Sequence, residues 1–188
     1  MTVSVIEFGK RRTIFAAGDK AGSLPKLISG AAILYTILPD GRRQVLDLAG
    51  AGDFLHFETG GELDHFAEAL TPCEVAFYDA EELLSDADMA GFLLEQMRDR
   101  LGFERRHITL LSCKSATERL AEFIDLAADC LGAENDVMNL PLTRQQIADF
   151  TGLTLETVSR TFAQWQRDET LTKVSAGTYR RGEALLAA

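Results

Sequence analysis

The sequence predicts an α+β chain: a small jelly-roll β-barrel of short strands, then a long helix, then a compact helical module closed by a hairpin. Three observations lead there. Short β-rich runs separated by glycine-bearing turns fill residues 1–84. From Ser85 to about Ser112 there is no proline, and apolar residues take up helical spacing. Beyond Pro141, two capped helical segments flank a single glycine. The expected organisation is therefore 1–84, 85–112 and 113–188.

The strand candidates are Arg12–Phe15, Leu27–Ser29, Ala31–Leu38, Arg43–Leu48 and Glu74–Tyr78. Between them lie turn signals at Ala17-Gly18-Asp19, Ser29-Gly30, Pro39-Asp40-Gly41 and Gly50-Ala51-Gly52-Asp53. Pro39-Asp40-Gly41 is a strong hairpin turn, because proline pre-sets φ and glycine accepts a positive φ. Many short strands with regular turns read as a small barrel or jelly roll.

In the long helix, Leu94, Met97, Leu101, Glu104, Ile108 and Leu111 step by three and four residues. That is a heptad-like seam with one polar member. Spacing alone leaves two readings open: a helix–helix interface, or a helix packed on its own barrel with Arg98, Asp99, Arg100, Glu104, Arg105 and Arg106 solvated. A second helix is expected from Ser115 to Leu131, stopped by Gly132, with Glu134-Asn135-Asp136 opening a linker.

The last segment carries the functional signal. Thr143-Arg144-Gln145-Gln146 has the capping-box form and opens a short helix ending near Thr151. Gly152 suits a tight turn that needs positive φ. Thr154 caps a second helix to about Asp168. Ala148 is small enough for the two helices to cross closely. Leu155, Val158, Phe162 and Trp165 form a core stripe, and Glu156, Ser159, Arg160 and Ala163 occupy the opposite face. This is a helix-turn-helix, whose second helix enters the DNA major groove. Arginine donates bidentately to guanine, and glutamate accepts from cytosine N4. Residues Leu171–Tyr179 read as a hairpin forming a wing, with Arg180 and Arg181 either reaching phosphates or simply solvating a tail. The expected DNA-contacting residues are Thr143, Arg144, Gln145, Thr154, Glu156, Thr157, Ser159, Arg160 and Arg180.

Charge is compatible with this reading. Of 19 Lys+Arg and 29 Asp+Glu in the chain, residues 1–140 hold 13 and 24, a net of −11, and residues 141–188 hold 6 and 5, a net of +1. An acidic body with a neutral-to-basic end suits a protein that meets phosphate at that end. No apolar run reaches membrane-spanning length, and no basic region followed by an apolar stretch marks a secretion signal. Cys73, Cys113 and Cys130 are scattered and odd in number, which fits a reducing cytoplasm.

The order of barrel, long helix and winged helix-turn-helix resembles the cyclic-AMP-receptor/FNR superfamily. Gly52-Asp53-Phe54 resembles the family's Gly-Asp-Phe turn, and Cys73-Glu74-Val75 its Cys-Glu-Val strand. Leu142–Ala148 and Leu153–Arg160 resemble the FNR/FixK branch, in which Glu-x-x-Ser-Arg reads a TTGAT-type half-site. The resemblance implies a bacterial transcriptional regulator and not an enzyme. It implies a homodimer through Leu94, Met97, Leu101, Ile108 and Leu111, bound to a palindromic operator in double-stranded DNA and contacting RNA polymerase.

The departures concern the cyclic-nucleotide-binding-like barrel. Gly61-Glu62 matches the family pocket, but the phosphate-gripping arginine is replaced in Leu63-Asp64-His65-Phe66. A carboxylate there repels phosphate, which argues against cAMP. No cysteine precedes Cys73, and one cysteine cannot hold an iron–sulfur cluster. Cys73 reads as a buried strand residue, with a redox thiol as the alternative. Haem ligation by His56, His65 or Cys73 would make the chain a gas sensor. A cupin-like metal enzyme needs a His-x-His set, whereas here only His56-Phe57-Glu58 and an isolated His65 occur. The expectation is therefore no metal and no cofactor.

Overall fold

The computed structural model of the chain describes residues 3–186. The expected outer limits at residues 1 and 188 fall outside the described residues, as does the side chain of Cys113. Two compact units make up the chain, residues 1–104 and 105–188.

The first unit is a jelly roll of seven strands: β1 (Val3–Phe8), β2 (Thr13–Phe15), β3 (Ser23–Ser29), β4 (Ala32–Ile37), β5 (Arg43–Ala49), β6 (Phe66–Ala69) and β7 (Cys73–Asp79). They form two antiparallel sheets in the orders β1-β7-β3 and β2-β6-β4-β5. Phe15, Leu27, Leu34, Ala49, Ala67 and Val75, drawn from both sheets, pack into one core. The β4–β5 hairpin closes through Pro39-Asp40-Gly41, with Gly41 at φ +83° and its N–H donating to the Leu38 carbonyl at 2.8 Å. Gly30, at φ +88°, lets β3 and β7 approach: a Cβ there would fall 2.6 Å from the Cβ of Cys73. Two strands, β1 and β6, lie outside the runs expected from sequence.

Two helices follow instead of one. Helix α1 (Ala80–Ser85) is capped by Asp79. Asp86 then ends it and accepts from the N–H groups of Asp88 and Met89, opening helix α2 (Ala87–Cys113). A carboxylate that takes the first orphan donors of a new helix breaks the old one. The first half of α2 lays Met89, Phe92 and Leu93 against Leu24, Phe54 and Leu83. Lys26 lies over the rings of Phe54 and Phe92, 4.6 Å from the latter's centre. The seam residues take no part in this packing: Leu94 is 67% and Ile108 63% exposed in the single chain, and Met97 and Leu101 are also exposed. Leu111 is half-buried.

One charge is buried under α2. Asp47 on β5 pairs with Arg100, and its Oδ1 accepts from the Leu48 N–H at 2.6 Å. Burial pushes Asp47 up to about 7 against the Arg100 guanidinium, with Asp53 and Glu104 pushing the same way. Its folded value lies above its ordinary 3.8. The folded state therefore keeps a proton that the unfolded chain releases. The stabilisation is complete below the lower value and lost as pH rises through the upper one. Melting curves taken across this window should show stability falling toward neutral pH, and Asp47→Asn should flatten that slope. Parallel profiles for the two proteins would refute the assignment.

The second unit contains the end of α2, α3 (Ala116–Leu131), β8 (Ala133–Glu134), β9 (Val137–Asn139), α4 (Arg144–Thr151), α5 (Leu155–Arg167), β10 (Leu171–Ser175), β11 (Thr178–Arg181) and α6 (Glu183–Leu186). Ser115 and Glu118 form a capping box at the start of α3. Arg106 binds Glu122 at 3.0 Å and Asp129 at 2.8 Å, and Lys114 binds Glu122 at 2.9 Å, clamping the end of α2 to α3. Residues 134–136, expected to open a linker, instead belong to a tight hairpin. Asn135 and Asp136 both take positive φ, the requirement of a two-residue turn that matches strand twist. The sheet order is β10-β11-β9-β8. Helices and sheet share a core of Leu120, Phe123, Ile124, Met138, Ile147, Phe150, Val158, Phe162 and Leu171.

Candidate nucleic-acid interface

The two-helix module is built as its sequence dictates. Thr143 accepts from the Gln146 N–H at 3.2 Å, and Gln146 returns the bond to the Thr143 N–H at 2.8 Å. Gly152 ends α4 in the left-handed conformation at φ 64°, and the Leu153 N–H closes on the Ala148 carbonyl at 3.1 Å. Thr154 caps α5 by accepting from the Thr157 N–H at 3.2 Å. Buried Ala148 lies on α4, and Val158, Phe162 and Trp165 form the inner stripe of α5. Leu155, expected in that stripe, is exposed. It occupies the first helical position of α5.

Glu156, Ser159, Arg160 and Ala163 are all exposed along one side of α5. Arg160 makes no ion pair among the described residues and lies one turn beyond Glu156, so both side chains are available to base edges. Thr143 and Gln145 are exposed at the start of α4, with the Gln145 amide donating to Asp149 at 2.7 Å. Thr154 is exposed, and Thr157 is half-buried with its hydroxyl 3.0 Å from that of Thr154.

Arg144 has a different position from the one its sequence context suggests. Its guanidinium lies 3.6 Å from the centre of the Phe162 ring and donates to the Tyr179 hydroxyl at 2.9 Å. It therefore ties the recognition helix to the wing strand. On β11 the strand alternation separates two neighbours that the sequence leaves equivalent. Arg180 points out and is exposed, whereas Arg181 turns in and binds Asp125 at 3.3 Å. Burial raises Asp125, and Arg181 opposes it.

Two supports went unnoticed in the sequence. His107 stacks on Phe150 with 4.0 Å between ring centres, and its Nε2 lies 2.8 Å from the Phe150 carbonyl. Arg119 donates to the carbonyls of Lys114 at 2.9 Å and Thr151 at 3.3 Å. Both hold the end of α4, and hence the turn, against α2 and α3. A histidine next to the α2 seam, one residue before Ile108, is the signal that could have found the first.

In the barrel, Cys73 is buried, and burial pushes its thiol up, away from the reactive thiolate. His65 is not isolated: it lies 2.9 Å from Asp64, and ligand atoms of Glu58, Asp64 and His65 fall within 4.8 Å of one another.

Two family models match the chain: the cyclic nucleotide-binding domain over residues 5–85 and the Crp-like helix-turn-helix domain over residues 118–185. The transcriptional activatory protein AadR of Rhodopseudomonas palustris is 34% identical over 97% of this chain and 81% of its own length. The nitrogen fixation regulation protein FixK of Bradyrhizobium diazoefficiens is 34% identical over 92% of this chain and 76% of its own. Among solved structures, FixK2 from Bradyrhizobium japonicum superposes with a TM-score of 0.89 at 28% identity, covering 100% of this chain and 97% of that one. With capped helices, exposed recognition face and barrel in place, the chain belongs to the cyclic-AMP-receptor/FNR family of transcriptional regulators, on its FNR/FixK-like branch.

Proposed function

We propose that the protein acts as a cytoplasmic homodimer that reads a palindromic, TTGAT-like operator in double-stranded DNA and regulates transcription through contact with RNA polymerase. It does so without cAMP and without an iron–sulfur cluster, and no catalytic step is assigned to it. Residues 1–84 serve as the effector barrel, 85–112 as the dimerisation helix and 113–188 as the DNA-binding module. The observation that carries this reading is the open face of Glu156, Ser159 and Arg160 on a helix whose other side is fixed in the core. Thr143, Gln145, Thr154 and Arg180 flank that face as phosphate contacts, and Thr157 and Arg144 position it. Asp64 supports the exclusion of cAMP, because an exposed carboxylate stands where the family grips a phosphate.

Selection of DNA from a random pool by the purified protein is the test. The expected result is an enriched palindrome with half-sites about 10 base pairs apart, the spacing that a two-fold dimer imposes on B-DNA. Failure to enrich any palindrome would overturn the proposal.

A further inference from the structure

The barrel brings together two imidazoles and two carboxylates that the regulator's DNA-binding face does not use. Glu58, Asp64 and His65 present ligand atoms within 4.8 Å of one another. Behind them His56 is 6% exposed, and its Nδ1 lies 3.3 Å from a Glu58 oxygen. That nitrogen is buried and, lacking the alignment, makes no hydrogen bond among the described residues. A buried polar atom without a bond is costly, and it is retained where something else satisfies it. No lysine or arginine pairs with Glu58 or Asp64 among the described residues; Glu58 accepts from the Phe57 N–H at 3.1 Å, and Asp64 lies beside the His65 ring.

The surrounding scaffold is fixed. The Phe15 ring meets both imidazoles edge-on, at 5.1 Å from His56 and 5.2 Å from His65. The loop carrying Asp64 is stitched to the 18–21 turn by three backbone bonds: Gly18 N–H to Leu63 carbonyl at 2.8 Å, Leu63 N–H to Asp19 carbonyl at 2.9 Å, and Ala21 N–H to Gly61 carbonyl at 3.1 Å. On this frame the Asp64 side chain is 92% exposed, so no packed neighbour fixes its carboxylate.

We propose that His65, Asp64 and Glu58, completed by His56, bind one first-row divalent transition cation in the barrel. The donor set decides the class of ion. Imidazole suits zinc, iron, nickel and copper, whereas magnesium and calcium favour all-oxygen sites. Ligands on zinc at about 2.0–2.2 Å sit roughly 3.3 Å apart, so only a modest closing of the exposed carboxylates is required. The same carboxylates that repel a cyclic phosphate attract this ion.

The test uses the full chain, stripped with a chelator and titrated with zinc, with magnesium in parallel. Zinc should bind at one per chain with little response to magnesium. Asp64→Asn and Glu58→Gln alter exposed positions and should leave the circular dichroism and melting curve of the metal-free protein unchanged. Each should weaken zinc by more than about tenfold, the scale expected when a ligand or its support is lost. Cobalt substitution should give a visible d–d spectrum without a thiolate charge-transfer band. Absence of stoichiometric binding, equal response to magnesium, undiminished binding by the double variant, or a thiolate band placing the metal on a cysteine would each overturn the proposal.

Discussion

Arg160→Ala is expected to weaken operator binding by about 1–3 kcal/mol per half-site and to relax the preference at one base pair, leaving the others unchanged. Arg160 is exposed, has no ion pair among the described residues and is set in the second turn of α5, the part of a recognition helix that meets base edges. Its guanidinium has five donors and nothing else to satisfy, so its loss removes a base contact rather than a structural one. Arg180→Ala supplies the contrast. On the outer side of a wing strand it is placed to meet phosphate, as the proposed function assigns. Its removal should weaken all sequences alike and reduce the salt slope by about one charge. Competition binding with single-base operator variants separates the two outcomes. If Arg160→Ala left every base preference intact, the recognition helix would have to be placed elsewhere.

Leu101→Glu is expected to convert the protein to monomers and to cut operator affinity by roughly two to four orders of magnitude, the avidity lost when two half-sites are no longer joined. The α2 helix divides its surface. One stripe, Met89, Phe92 and Leu93, packs on the barrel, while Leu94, Met97, Leu101 and Ile108 leave an apolar seam exposed in the single chain. An exposed apolar stripe of that length supports the proposed dimer interface. Glu104 already contributes one carboxylate per chain to this seam. A second glutamate a turn away would bring four like charges together across a two-fold axis. Because Leu101 is half exposed in the monomer, the substitution should not unfold the barrel. Sedimentation at micromolar concentration reads the result. A wild-type protein that is monomeric there and still binds a palindrome tightly would defeat the dimer assignment.

The helix-turn-helix was legible because its determinants are local. Thr143, Gln146, Gly152 and Thr154 act on backbone groups within a few residues, and each takes the expected role. The features that escaped depend on partners distant in sequence. Strand β6 reads Phe-Ala-Glu-Ala, poor in β-formers, and is a strand because β2 and β4 flank it. Strand β1 is nearly all exposed, so it lacks the alternation that announces a half-buried strand. The Asn135-Asp136 turn joins two very short strands, β8 and β9, of which β9 also pairs with the distant β11. Arg144 and Arg181 look like ordinary basic residues until Phe162, Tyr179 and Asp125 are placed around them. The His56–Glu58–Asp64–His65 group was likewise invisible, because no spacing rule describes a loop folding back on its own start.

The position of Arg144 bears on how the protein meets its operator. Stacked on Phe162 and bonded to Tyr179, it freezes wing and recognition helix into one surface before any DNA arrives. The conformational entropy of ordering those parts is then charged to folding and not to association, so more of the contact energy is expressed as affinity. A lysine in its place would keep the positive charge but not the flat, multiply donating plate. The wing would gain freedom in the unbound state, and each encounter with DNA would have to remove that freedom again.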